Sequence, residues 1–257
     1  MPVLLHERIA GVSLLRFNRP EKLNALSTEL FDAMTQKLEQ LQAEDTLRVV
    51  ILTGTGHAFC AGTDISQFVD GTTNEATAIS ARGQMLCDQL EHFPVPTIAA
   101  INGIAAGGGC EIALACHLRI ASSLASFSLP EPKLGLLPGY GGTQRLPRVV
   151  GTGRAVELMI TGRAVSAEEA LEIGLINRIV PDAELITETL KLARQIEQLA
   201  PLAIRACLKA VMLGIEQPLE KGLEIERELF ASLFTTEDVR EGTSAFLEKR
   251  TPVFKGK

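Results

Sequence analysis

The order of segments predicts an α/β protein that ends in helices, and three observations carry that expectation. Residues 12–17 and 48–53 are β-rich runs on either side of an amphipathic helix, a strand–helix–strand order. Residues 97–101 form another apolar run, which delivers the chain into a glycine-rich stretch over residues 101–115. From Gly151 onward one helical pattern follows another, and the change from mixed to all-helical falls near residue 195. The expected units are therefore an α/β core over residues 1–195 and a helical region over residues 196–257. With 257 residues and 46% hydrophobic composition, the chain is long enough to bury a large core.

Taken in order, the strand at 12–17 runs into the turn signal Asn18-Arg19-Pro20. Ser27 then caps a helix with Glu29 in its first turn and with Leu30, Met34, Leu38 and Leu41 on one face. The run 48–53 ends at Gly54-Thr55-Gly56 and is followed by a loop over 57–64. A polar segment over 70–74 leads to a helix over 75–92, which Pro94 and Pro96 terminate. The helix opened by the glycine stretch is short, because residues 118–121 read as the next strand; residues 126–129 are again extended and run into Pro130-Glu131-Pro132.

In the later part, Ser166 and Glu169 have the spacing of a capping box, and Gly174 stops the helix they begin. Asp182 is read as the cap of a helix reaching Leu199, and Pro201 sits where a first helical turn tolerates proline. Two more helices are expected over 219–234 and 237–249. They carry Leu223, Leu229, Phe230, Leu233, Phe234, Phe246 and Leu247, more apolar surface than a solvated appendage should hold, so the region packs on the core or on another subunit.

Composition excludes several classes. A formal net charge of −6 opposes a broad nucleic-acid surface, although an anionic small molecule needs only a local basic cluster. Cys60, Cys87, Cys110, Cys116 and Cys207 are odd in number and lack C-x-x-C spacing, which fits a reducing, cytoplasmic setting. His6, His57, His92 and His117 are scattered, and no metal site is expected. The first ten residues lack a secretory hydrophobic region. Residues 96–116 are uncharged until Glu111, but Asn102, Gly103 and a glycine triplet interrupt them, so no membrane span is expected.

The glycine triplet Gly107-Gly108-Gly109 and the lone carboxylate Glu111 are the unusual feature of the chain. Glycines before an apolar run permit close approach of another group, and a helix start leaves N–H groups that favour negative charge. The triplet therefore reads either as close helix–strand packing or as an anion-stabilising site. Glu111 reads either as a first-turn residue complementing the helix dipole or as a working acid. Glu131, between two prolines and near Phe127 and Leu129, reads either as a solvated loop acid or as a partly buried carboxyl of raised pKa. Gly54-Thr55-Gly56 and Gly151-Thr152-Gly153 complete no dinucleotide or P-loop motif, and no Ser-His-Asp set is apparent.

Several ordered motifs together resemble the enoyl-CoA hydratase/isomerase, or crotonase, family. They are Asn18-Arg19-Pro20-Glu21-Lys22-Leu23-Asn24-Ala25-Leu26; Ala58-Phe59-Cys60-Ala61-Gly62-Thr63-Asp64; Ala105-Ala106-Gly107-Gly108-Gly109-Cys110-Glu111; Pro130-Glu131; and the run from Leu134 through Pro138-Gly139-Tyr140-Gly141-Gly142 to Leu146. The resemblance extends to Arg240-Glu241-Gly242 and to residues 245–250, and so covers essentially the whole chain. It implies a crotonase-like spiral of strand–strand–helix units with a C-terminal helical trimerisation region, hence a homotrimer or a dimer of trimers.

By the same resemblance, the N–H groups of Thr63 and Gly108 form an oxyanion hole for a thioester, and Glu111 and Glu131 are the acid–base pair. Glu111 is assigned mainly to water activation and Glu131 mainly to the α proton. Lys22, Leu23, Ala25, Ala61, Asp64 and Ile65 line the coenzyme A path, and Phe254, Lys255 and Lys257 reach toward a neighbouring subunit's nucleotide. The implied reaction is reversible hydration of a trans-2-enoyl-CoA to a 3-hydroxyacyl-CoA, with coenzyme A part of the substrate and no further cofactor. Double-bond isomerisation through the same hole is the alternative; it needs one carboxylate, and two favour hydration. A non-catalytic acyl-CoA or RNA-binding relative is opposed by the two glutamates and by the acidic composition.

Two residues depart from the family's usual pattern. Thr63 is branched where a smaller residue is frequent, which narrows the acyl pocket, and Tyr140 places a phenol where a small residue is frequent. Residues 67–80 are read as shaping the acyl pocket, with nothing in them that sets a chain length.

Overall fold

The structure is a computed structural model that describes residues 1–65 and 72–257. Strands, numbered in chain order, divide between two sheets. The larger has the order β1 (Leu4–Ile9), β2 (Val12–Phe17), β3 (Val49–Gly54), β5 (Thr97–Ile101), β7 (Leu118–Ser122) and β10 (Arg178–Val180). The smaller has the order β4 (Ala58–Cys60), β6 (Ile104–Ala106), β8 (Ser126–Ser128) and β9 (Val165–Ser166). Each pair β3–β4, β5–β6 and β7–β8 sends its first strand to the larger sheet and its second to the smaller. The first two pairs are followed by α2 (Thr73–Glu91) and α3 (Gly108–Ala115), so strand–strand–helix units repeat around the core.

Only β1–β2 and β8–β9 pair antiparallel among the described strands. Parallel strands with both faces covered read as continuous apolar runs, and every residue of β3 and β5 is buried. The pleat divides them cleanly. Val50, Leu52, Ala99 and Ile101 join the main core with Phe17, Leu26, Met34 and Phe59, whereas Val49, Ile51, Ile98 and Ala100 face the other way. That second face is covered by α7 (Leu185–Glu197), which contributes Leu185 and Ala193. Helix α1 (Thr28–Gln42) buries Leu30, Phe31, Met34, Leu38 and Leu41, and Ser27 caps it by accepting from the Leu30 N–H at 3.3 Å.

Several local expectations are corrected. Residues 4–9 form an edge strand, which their mixed charge concealed, and the loop expected over 57–64 contains β4. Helix α2 starts before residue 75, because Thr72 and Glu75 form a reciprocal capping box. The polar segment and acyl-pocket loop expected before it fall partly outside the described residues. Asp182 does not cap a helix: it lies in a 3-10 turn, and its carboxylate accepts from the Ser122 hydroxyl at 2.7 Å, tying the chain to β7. Ser166 caps α6 (Ala167–Glu172), but the Glu169 carboxylate is taken by Arg163, at 2.6 and 2.9 Å.

Helices α4 (Gly142–Val150) and α5 (Thr152–Thr161) follow the second proline-rich turn, and α8 (Pro201–Gly214), α9 (Leu219–Leu233) and α10 (Glu237–Glu248) end the chain. No residue of α8 or α9 is fully buried. Phe230, Phe234, Phe246 and Leu247 are between 60% and 82% exposed, so this apolar surface is not covered by the chain's own core. The C-terminal segment folds back on α10: the Asp238 carboxylate accepts from the N–H groups of Lys255 and Gly256 at 2.7 and 2.9 Å. Residues 96–116 are divided among β5, β6 and α3, and no helix among the described residues is long and apolar enough to cross a membrane.

Helix α3 approaches β4 closely: a Cβ on Gly109 would lie 2.1 Å from the Cys60 carbonyl oxygen. Because that neighbour is backbone, Gly109→Ala should destabilise the protein by about 3 kcal/mol or prevent folding. Urea denaturation checks this, and a change below about 0.5 kcal/mol would show that the helix shifts freely.

Candidate active site

Glu111 lies in the first turn of α3 and is 1% exposed. A carboxylate there needs hydrogen bonds, and the loop before α4 supplies them. The main-chain N–H groups of Tyr140 and Gly142 both donate to Glu111 Oε1, at 2.8 and 2.7 Å. Arg145 braces the loop by donating to the Tyr140 carbonyl at 3.1 Å while it pairs with Glu91 of α2 at 2.5 Å. Burial nevertheless dominates and pushes the Glu111 carboxyl up to about 7; the Gly142 bond opposes this and the nearby Glu131 reinforces it.

Glu131 sits at the start of a 3-10 turn after β8, flanked by Pro130 and Pro132. Its carboxyl is drawn to the same place: a Cβ on Gly107 would lie 2.7 Å from Glu131 Oε1 and 3.8 Å from the Gly62 Cα. Gly107 adopts φ +50°, which glycine reaches at low cost, and the missing side chain leaves room for the carboxylate. Glu131 Oε2 is buried without a hydrogen-bond partner, and burial raises this group's pKa as well. Two carboxyls of raised pKa thus flank the start of α3, one held by backbone donors and one with an oxygen unengaged by the protein.

The two residues expected to offer oxyanion donors also meet here. Gly108 is the first residue of α3, so its N–H has no partner within the helix. Thr63 forms a parallel bridge with Leu26 that uses its neighbours: Leu26 N–H donates to the Gly62 carbonyl at 2.8 Å, and Asp64 N–H donates to the Leu26 carbonyl at 3.1 Å. The bridge leaves Thr63's own N–H outside it. A Cβ on Gly62 would lie 3.5 Å from the Gly108 nitrogen, which places the Gly62–Thr63 segment against the start of α3.

The segments expected to take the carrier run side by side. Ala61 N–H donates to the Leu23 carbonyl at 3.0 Å, and Arg19 pairs with Asp64 at 3.4 Å. Lys22, Leu23 and Ile65 are exposed and Ala25 is half-buried. Leu23 and Asn24 both have positive φ; the Asn24 side chain holds this conformation by accepting from Arg19 N–H and donating to the Thr55 and Ala58 carbonyls at 2.7–2.9 Å. Two consecutive residues other than glycine are thus held at positive φ, a conformation that persists only because the surroundings fix it.

Two further groups of titratable side chains lie outside this constellation. Asp88, Glu91 and His92 gather at the end of α2, but Glu91 is paired with Arg145 and Asp88 with His92. Cys60, Cys87, Cys110 and Cys116 are buried free thiols whose pKa values burial raises, so they are held protonated. A cavity of about 570 Å³ is lined by Arg16, Thr55, His57 and Asp182, and one of about 420 Å³ by His117, Arg119 and Arg145; neither is lined by Glu111 or Glu131.

The fold of two interleaved sheets brings two buried carboxyls to a glycine-framed helix start, and comparison with known proteins shows the family. The family model described as enoyl-CoA hydratase/isomerase matches residues 7–257, and the chain belongs to that family. It is 42% identical to the probable enoyl-CoA hydratase echA8 of Mycobacterium tuberculosis, over 98% of this chain and 97% of the relative. It is 40% identical to the short-chain-enoyl-CoA hydratase of Clostridium acetobutylicum, over 95% and 94%. The crystal structure of an enoyl-CoA hydratase from Bacillus anthracis superposes with a TM-score of 0.96 at 40% identity, covering 99% of this chain and all of that one.

What the residue pattern did not reveal is the pair of donors from Tyr140 and Gly142, main-chain groups 29 and 31 positions from Glu111. The raised pKa of Glu111 has a consequence for stability. Between the ordinary carboxylate value of 4.5 and about 7, the folded protein holds a proton that the unfolded chain has lost. Stability therefore falls as pH rises through that window, by on the order of 3 kcal/mol for the full shift. Glu111→Gln keeps an acceptor for both N–H groups and removes the titration, so its stability relative to the native protein should increase from pH 5 to pH 8 in urea denaturation. A constant difference would show that Glu111 ionises at its ordinary value.

Proposed function

We propose that the protein is an enoyl-CoA hydratase that adds water reversibly to a trans-2-enoyl-CoA and yields a 3-hydroxyacyl-CoA. The observation that carries this reading is the second carboxyl: Glu131 sets Oε1 against Gly107, at the start of the helix that carries Glu111, and its Oε2 is buried without a partner. Hydration needs one group to take a proton from water and another to deliver one to carbon, whereas moving a double bond needs only one carrier. The name of the clostridial relative, a short-chain-enoyl-CoA hydratase, is consistent with this assignment.

In the proposed mechanism, ionised Glu111 takes a proton from water as the oxygen adds to C3. The electron pair of the double bond moves toward the thioester, and its oxygen, accepting from the Thr63 and Gly108 N–H groups, takes the charge as an enolate forms. Glu131 in its protonated form, which burial favours, gives its proton to C2. One water is consumed and the two carboxyls exchange protonation states. Removing one such backbone donor typically costs roughly 3–4 kcal/mol of transition-state stabilisation, more than a substitution on the rim of the site would. Coenzyme A is the carrier within the substrate, its adenine and pantetheine lying along Lys22, Leu23 and Ala25 and along Ala61, Asp64 and Ile65.

The exposed aromatic faces of α9 and α10 support assembly as a homotrimer or a dimer of trimers, and the site of action is the cytoplasm. Sedimentation equilibrium should return three or six times the 27.6 kDa chain mass, and a monomer would refute the assembly.

The reaction is tested with crotonyl-CoA, by loss of the conjugated thioester absorbance. Glu111→Gln and Glu131→Gln should each lower kcat by at least about 10²-fold, the scale of general acid–base catalysis. Smaller losses would remove the assigned roles, and inactivity of the native protein toward crotonyl-CoA with turnover of a 3-enoyl-CoA would make it an isomerase.

A further inference from the structure

The two residues that depart from the family's usual pattern touch each other. Thr63 Oγ1 and the Tyr140 hydroxyl are hydrogen-bonded at 2.7 Å, although 77 positions separate them in sequence. Tyr140 is 4% exposed, and its ring is fixed on several sides. A Cβ on Gly83 of α2 would lie 2.0 Å from the ring, one on Gly108 would lie 2.8 Å from it, and Phe31 of α1 meets it edge-on at 5.6 Å. The same residue's N–H donates to Glu111 Oε1 at 2.8 Å. One side chain and its own backbone therefore hold both halves of the site: the N–H orients the acid, and the phenol grips the Thr63 side chain.

We propose that Tyr140 is a positioning residue that sets the Thr63 N–H relative to Glu111 through its hydrogen bond to the Thr63 hydroxyl. This rests on the reading of Thr63 as an oxyanion donor in the hydration reaction. Thr63 is joined to Leu26 by a single bridge, formed by its neighbours' backbone groups. A hydroxyl bond to a ring locked between two glycine surfaces gives that segment a second fixed point. Donors aimed in advance at developing charge stabilise the transition state without reorganisation, and a displacement of about 1 Å in such a site costs on the order of 10²-fold in rate. The branched threonine is then part of the device, since its hydroxyl anchors the residue whose N–H does the work.

The test is a double-mutant cycle on crotonyl-CoA hydration, with thermal melts in parallel. Tyr140→Phe removes only the phenol oxygen, and Thr63→Val removes only the hydroxyl while keeping shape and N–H. Each should lower kcat about 10-fold with KM within about 2-fold of the native value, because the lost interaction acts on the transition state. The double variant should be no slower than either single, and Thr63→Ser, which restores the hydroxyl, should recover most of the rate lost in Thr63→Val. Losses below 2-fold, losses that multiply in the double variant, or an effect confined to KM would overturn the proposal. If Thr63→Val does not fold, Thr63→Ala carries the same comparison. A native protein that isomerises a 3-enoyl-CoA without hydrating crotonyl-CoA refutes the hydratase reading, and the cycle is then decided on isomerisation by the same criteria. A native protein inert to both refutes both.

Discussion

A carboxylate placed in an apolar interior must be given hydrogen bonds, and much of this structure follows from meeting that need at Glu111. Two elements far apart in the chain are committed to it: α3 carries the side chain inward, and the turn into α4 presents the Tyr140 and Gly142 N–H groups to one of its oxygens. The turn is braced by Arg145, whose guanidinium also reaches Glu91 on α2, so the helix beside the site is tied to the same point. Even so, the bonds do not offset burial, and the carboxyl is left able to exchange a proton near neutrality. The site is thereby costly to fold and suited to acid–base chemistry for one and the same reason.

The glycine triplet serves neighbours of three kinds. Gly109 admits the Cys60 carbonyl of β4, which is close helix–strand packing; Gly108 admits the Tyr140 ring; Gly107 admits the Glu131 carboxylate. Of the two readings that the sequence left open, close helix–strand packing is what Gly109 shows, whereas Gly107 and Gly108 make room for side chains. A Cβ at any of the three would meet a different obstacle, so the triplet is not a single motif with a single tolerance.

Much of the fold was legible because parallel strands buried on both faces write themselves as apolar runs, as residues 48–53 and 97–101 do. The smaller sheet was not: β4 and β6 have three residues each, too few to display alternation, and their parallel pairing is a long-range fact. Asp182 misled because a cap and a cross-chain acceptor look alike in sequence, and Ser122 lies 60 positions away. For the site, the glycine triplet and Glu111 stood out in the sequence itself, Thr63 and the pairing with Glu131 were named through resemblance, and the structure gathers these residues around the start of α3. The contact between Thr63 and Tyr140 had no local signal at all, although each residue stood out alone.

The ring of Tyr140 belongs to the only tyrosine in a chain that has no tryptophan. Its absorption and emission above the phenylalanine range therefore arise from one side chain, wedged against Gly108 and bonded to Thr63. Ordinarily a protein's near-ultraviolet spectrum averages many environments. Here it is a label-free optical probe of a single locus, and each chain carries one copy.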